Sequence, residues 1–122
     1  MATKAEMLGK ALRDLNRAGD IEASVVISRD GLLMMSDFVQ RSYGAETFAA
    51  MSATMLGAAK TTTPELKKGI PDRVIVETRG GKLITLCAGP KALLVVMTSP
   101  EVGLGLILVE MEKTADKIRG LL

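Results

Sequence analysis

Histidine and tryptophan are missing from this chain, and cysteine occurs once, as Cys87. Without histidine there is no Ser-His-Asp or Cys-His relay, and a lone cysteine cannot assemble a zinc site of the His/Cys kind. With no second cysteine there is no intrachain disulfide framework, which points to a reducing compartment. Aromatic residues make up only 2% of the sequence, so the core must be built from aliphatic side chains and methionine. Concentrated charge is missing too. Sixteen Lys and Arg stand against fourteen Asp and Glu, spread along the chain for a net +2. A nucleic-acid binder would call for a basic stripe interleaved with stacking aromatics, so no nucleic-acid partner is expected. The opening Met1-Ala2-Thr3-Lys4 leads straight into an amphipathic pattern with no apolar signal core, so a cytoplasmic protein is expected.

What is present is globular: 122 residues, 48% hydrophobic and 25% charged, suited to a single domain spanning 1–122. Its most informative stretch is Thr47 to Ala59, thirteen residues without a charge between Glu46 and Lys60. Ala, Met and Leu favour a helix there. Phe48, Met51, Met55 and Ala59 share one face, Ala49, Ala53 and Leu56 lie to one side, and Ala50 and Gly57 lie behind. No face is properly polar, and a helix of this kind is normally covered on more than one side. The run is too short to span a bilayer, which needs about 20 apolar residues, so no direct membrane insertion is expected. A second copy of the chain, or another protein, is the economical cover. Ala49, Ala50, Ala53, Leu56 and Gly57 are therefore candidate contact residues for a homodimer. The pattern leaves open which face meets the chain's own sheet.

Around this helix the pattern reads α-β-β-α-β-β-β-α. Thr3-Lys4-Ala5-Glu6 is a capping box, followed by an apolar stripe at Leu8, Ala11, Leu12 and Leu15 and a stop at Gly19. Ala23–Ser28 reads as a strand, Asp30-Gly31 as a type I′ hairpin turn, and Leu32–Ser36 as the returning strand. Residues 37–43 read as loop, and the uncharged helix begins near Gly44 and runs toward Lys68. Arg73–Thr78 and Leu83–Cys87 form a second hairpin about Gly80-Gly81. Ala92–Met97 has no polar side, which marks a central strand covered on both faces. Ser99-Pro100 suits the cap of a last helix, whose apolar positions keep helical spacing from Leu104 to Leu122; Val102–Val109 alone would also suit a strand, since Gly103 and Gly105 weaken a helix, and helix is the reading taken. The fold class is α+β: a five-stranded antiparallel sheet with the first and third helices on one face and the second on the other.

Chemistry is nearly silent in this sequence. Gly9-Lys10-Ala11 and Gly81-Lys82-Leu83 lack the Ser or Thr of a phosphate loop, and Gly103-Leu104-Gly105 is only a fragment of a dinucleotide fingerprint. Glu77, Glu101 and Glu110 are scattered carboxylates, and Cys87 reads as a small core residue. No catalytic residue, cofactor or metal is expected.

The element order, Val25-Val26-Ile27-Ser28-Arg29-Asp30-Gly31-Leu32, the small-residue helix 49–59, and Val102-Gly103-Leu104-Gly105-Leu106 opening a helix with Glu110 together resemble a roadblock (dynein light-chain type) domain over nearly the full chain. The resemblance implies a non-enzymatic dimer in which the third strands pair edge to edge, bringing in Val74 and Val76, and the second helices pack side by side. It also implies a partner, a small Ras-like GTPase, met by the two-helix face. Bacterial relatives that stimulate a GTPase reshape its switch loops without an arginine finger, so no residue here inherits a catalytic role. Lys60, Lys67 and Lys68 form a possible rim that would steer an acidic partner surface. A structural subunit of a larger motor or membrane-tethered scaffold, and a small-ligand sensor module, are the alternatives.

Overall fold

The computed structural model describes residues 1–39 and 44–122. The elements run α1 (Lys4–Gly19), β1 (Ala23–Ser28), β2 (Leu33–Phe38), α2 (Ala45–Glu65), β3 (Arg73–Thr78), β4 (Gly81–Cys87), β5 (Ala92–Thr98) and α3 (Leu104–Leu121). The order expected from the sequence is the order observed. The strands form one antiparallel sheet in the order β2-β1-β5-β4-β3. α2 leaves one edge strand, β2, and delivers the chain to the other, β3, so it crosses the sheet between the two hairpins.

Two apolar layers follow from the alternation of the strands. Val26, Leu94, Val96, Ile84 and Leu86 point to the side covered by α1 and α3, where Leu12, Leu15, Ile107, Met111 and Ile118 pack on them. Val25, Ile27, Leu93 and Val95 point to the other side, beneath Ala49 and Leu56 of α2. β5 sits at the centre and contributes to both layers, as its two apolar faces require.

Several local details differ from expectation. Thr3 caps α1, accepting from the Glu6 amide at 3.1 Å, but Asp20 rather than Gly19 takes the left-handed conformation (φ 53°) that ends the helix. The first hairpin is no type I′ turn. Gly31 has φ 89° and Asp30 is not among the positive-φ residues. The Gly31 amide donates to Ser28 O at 3.0 Å and the Ser28 amide to Leu32 O at 2.8 Å, which is a three-residue loop closed by a left-handed glycine. β2 runs from Leu33 to Phe38, taking in Asp37 and Phe38 from the expected loop; residues 40–43 lie outside the described residues.

The second hairpin turns at Arg79-Gly80, with Thr78 paired to Gly81. Gly81 opens β4 with φ 153°, and a Cβ there would overlap the Thr98 carbonyl oxygen, so β4 approaches β5 at a point only glycine allows. Ser99-Pro100 is a turn and does not cap α3. That role falls to Gly103, without a side-chain hydrogen bond.

Candidate functional site: the outer face of α2 and the free edge of β3

α2 has two different sides. Ala49, Ser52 and Leu56 are buried against the chain's own sheet, with Phe48 and Ala53 beside them. Phe48 stands edge-on to Phe38 of β2, ring centres 6.3 Å apart. Ala53 packs on the first hairpin, since a Cβ on Gly31 would come within 3.1 Å of the Ala53 methyl. Ala49 and Leu56 are therefore withdrawn from the expected contact with a second copy: the chain's own sheet covers them. The face of the helix was not legible because both of its sides are uncharged.

The other side is open. Ala50, Thr54, Gly57 and Thr61 are exposed and recur three or four residues apart, so they form one stripe. Met51 beside it is 62% exposed. Thr54 donates its hydroxyl to Ala50 O at 2.9 Å, and Thr61 to Gly57 O at 3.1 Å. These hydroxyl protons are already used within the helix, so the stripe can be covered by an apolar partner without stranding a donor. An added Cβ at Gly57 would meet nothing within 4 Å, which leaves room for close approach of another backbone.

β3 is the second open element. The Cys87 amide donates to Asp72 O, and the register runs Val74↔Thr85, Val76↔Leu83 and Thr78↔Gly81. Antiparallel ladders alternate between hydrogen-bonded and non-bonded pairs, so Val74, Val76 and Thr78 direct their peptide groups into β4. Arg73, Ile75 and Glu77 direct theirs outward, along an edge that no other strand covers among the described residues. Val74 instead packs in the layer beneath α2. On the opposite side of the strand Arg73 pairs with Glu112 of α3 at 3.4 Å, and Ile75 is 36% exposed.

Between α2 and the β3–β5 part of the sheet lies a groove of about 550 Å³, walled chiefly by Phe48, Met51, Met55, Val76, Leu83 and Met97. Ser52 also borders it; its hydroxyl is buried and has no hydrogen-bond partner among the described residues. Sequence reading did not place this groove, because its walls come from α2 and three strands whose facing sides are fixed only by the tertiary packing.

The three rim lysines do not form one cluster on the helix. Lys60 is half-buried on α2, while Lys67 and Lys68 are exposed just beyond its end. Lys67 is left-handed (φ 59°). The Lys67 amide donates to Pro64 O and the Lys68 amide to Thr63 O, both at 2.9 Å, so both residues satisfy carbonyls at the helix terminus, where positive charge is favourable. Cys87 is half-buried, 3.9 Å from the Arg29 guanidinium, which also donates to Gly89 O and Pro90 O across the neighbouring turn. Among the described residues no three His, Cys, Asp or Glu groups converge to hold a metal, and no helix is long and apolar enough to cross a membrane.

An uncharged helix face beside a free strand edge defines a domain suited to contact with other proteins. The Roadblock/LC7 domain model matches residues 7–98, and the chain belongs to that family. The uncharacterized protein MJ0310 of Methanocaldococcus jannaschii is 36% identical over 115 residues, 94% of this chain and 99% of its own. A structure of MglB with a tetrameric arrangement superposes with a TM-score of 0.92 at 17% identity, over 99% of this chain and 91% of its own. Myxococcus xanthus MglB gives 0.87 at 16% identity, over 93% of each chain. At these identities the likeness to the two MglB structures is one of fold.

Proposed function

We propose that the chain is a non-enzymatic, cytoplasmic regulator or scaffold that forms a homodimer and binds a small Ras-like GTPase. The observation that carries this reading is the outer stripe of α2, Ala50-Thr54-Gly57-Thr61, uncharged and open beside the free edge of β3. In the dimer the β3 edges pair through Arg73, Ile75 and Glu77, and the α2 stripes pack across the same twofold axis. Membership of the roadblock family supports a GTPase partner. The nucleotide then sits in that partner, since this sequence has no phosphate loop. Lys67 and Lys68 lie at the margin of the helix pair, where rim charge acts chiefly on association rate.

Light scattering at micromolar concentration should give twice the 12.9 kDa chain mass. A GTPase from the same cell should be retained by the immobilised protein, with preference for one nucleotide state, while the isolated protein binds no GTP in calorimetry. A persistent monomer overturns the dimer, and tight GTP binding by the isolated chain overturns the assignment of the nucleotide to a partner. Failure to retain any GTPase would favour the structural subunit of a motor or membrane-tethered scaffold. The groove under α2 favours one further reading, a small-ligand sensor module, because its volume falls in the range of ligand pockets, about 300–1,000 Å³. A small apolar molecule that raises the melting temperature of a monomeric variant would support that reading.

A further inference from the structure

β3 carries opposite charges on either side of Ile75. Arg73, Ile75 and Glu77 are exposed, and the alternation of the strand puts all three side chains on the α3 side of the sheet. Neither charge is fully answered within the chain. The Arg73 guanidinium reaches Glu112 of α3 through one nitrogen at 3.4 Å, and its side chain stays 42% exposed. Glu77 stands opposite Lys82 in the β3–β4 ladder. The Lys82 ammonium, however, donates to the main-chain oxygens of Pro100 and Val102 at 2.8 and 2.9 Å. Glu77 is therefore left without an ion-pair partner among the described residues, at an edge whose outward peptide groups are also unpaired there.

We infer that Arg73 and Glu77 fix the register of the β3 edge and select a second copy of this chain as its partner, an assignment that rests on the homodimer proposed above. Outward peptide groups come only from Arg73, Ile75 and Glu77, so the antiparallel registers differ by moving the twofold axis along the strand. With the axis at Ile75, Arg73 stands opposite the partner's Glu77, and Glu77 opposite the partner's Arg73. These are two cross-strand pairs of opposite charge. Ile75 then meets its own copy, which covers a side chain 36% exposed in the single chain. On the other side of the sheet Val74 meets the partner's Val76, and both lie under α2. With the axis at Val74, Arg73 faces an isoleucine and Glu77 falls opposite Pro71, which has no amide to give. With the axis at Val76, Ile75 faces a glutamate and Arg73 comes opposite Arg79, a like-charge pair. Either shift loses both opposite-charge pairs. The edge is complementary to itself in one register, and a strand carrying charge of a single sign is rejected at one of the two positions.

The test is a charge swap in the full chain, read by sedimentation velocity and by native mass spectrometry of mixtures. Arg73→Glu sets glutamate against Glu77 at both pairs, and Glu77→Arg sets arginine against Arg73 at both. Each variant alone should raise the dissociation constant about tenfold or more, while circular dichroism shows a folded monomer. Mixed in equal amounts, the two variants should form the heterodimer in preference to either homodimer, because both opposite-charge pairs return. Arg73→Glu and Glu77→Arg combined in one chain should recover most of the parent's affinity. Glu77→Arg disturbs no ion pair of the monomer, so it keeps the test decisive should Arg73→Glu, which loses Glu112, fail to fold. A parent that stays monomeric overturns the dimer and the charge register with it. A parent that dimerises overturns the register alone in either of two cases: a folded Glu77→Arg variant dimerises as tightly as the parent, or two weakened variants fail to combine.

Discussion

Ile75→Pro separates the fold of one chain from the pairing of two. The Ile75 peptide group points away from β4, so the proline ring removes no hydrogen bond from the sheet of the monomer, and edge positions of this kind tolerate proline. The side chain is 36% exposed, so shortening it should cost the monomer about 1 kcal/mol or less. In the proposed dimer the outward amides of Arg73, Ile75 and Glu77 pair across the axis. Proline removes one donor from each protomer, hence two hydrogen bonds per dimer. At about 1 kcal/mol net each, with a further 1–3 kcal/mol for each carbonyl left buried and unpaired, dimerisation should weaken by about 4 kcal/mol or more. That is roughly a thousandfold rise in the dissociation constant. Sedimentation velocity over a concentration series reads this directly, and circular dichroism reports whether the monomer is folded. Val74→Pro is the contrast, because its N–H belongs to the β4 ladder; it should lower the melting temperature of the monomer itself. A folded Ile75→Pro protein that dimerises as tightly as the parent would refute edge pairing through β3.

Gly57→Ala should raise monomer stability by about 1 kcal/mol through helix propensity, since an added methyl meets nothing. Gly57→Arg should leave the monomer folded in thermal melts and abolish the dimer in light scattering. Ala53→Glu, by contrast, drives a carboxylate against the Gly31 turn and should lose folded protein as well as dimer; an unchanged melting temperature would show that Ala53 does not pack there. Gly81→Ala forces a Cβ into the Thr98 carbonyl oxygen and should cost about 3 kcal/mol, the upper end for strained backbone positions, measured by urea unfolding. The Lys10 ammonium, hydrogen-bonded to Asp14 at 2.9 Å, holds the Asp14 carboxyl below its ordinary 3.8. The depressed value makes this contribution present above the ordinary carboxylate range and lost as pH falls through the folded value. Lys10→Ala should move the Asp14 titration midpoint upward in NMR, and no movement would remove that cause.

Sequence carried the fold further than it carried the site, for a physical reason. Strand and helix signals are local: β-branched runs, Asp-Gly and Gly-rich turns, and the Thr3 cap each act within a few residues. β5 could be placed at the centre because being apolar on both faces allows few other positions. α2 defeated the same reasoning. A wheel locates a buried face by contrast with a polar one, and Thr47–Ala59 offers no contrast. The side facing the sheet is decided by Gly31, whose turn receives Ala53, and by Phe38 standing edge-on to Phe48. Neither contact is visible from the helix alone. The outward peptide groups of β3 were hidden similarly, since the alternation of a ladder is fixed only once its register is known.

The same lack of contrast gives α2 its meaning. A helix that served the monomer alone would place lysine and glutamate on its outer side, as α1 does with Lys10, Arg13 and Arg17 outside and Leu8, Leu12 and Leu15 within. α2 keeps small apolar residues there and turns its threonine hydroxyls back onto its own carbonyls, so the face carries little polar demand. Leaving such a face wet sacrifices solubility, and large exposed apolar patches on soluble proteins mark interaction sites. The groove beside it is rich in methionine, a side chain that adapts to different partners at small cost. Together these features fit a surface built to be covered.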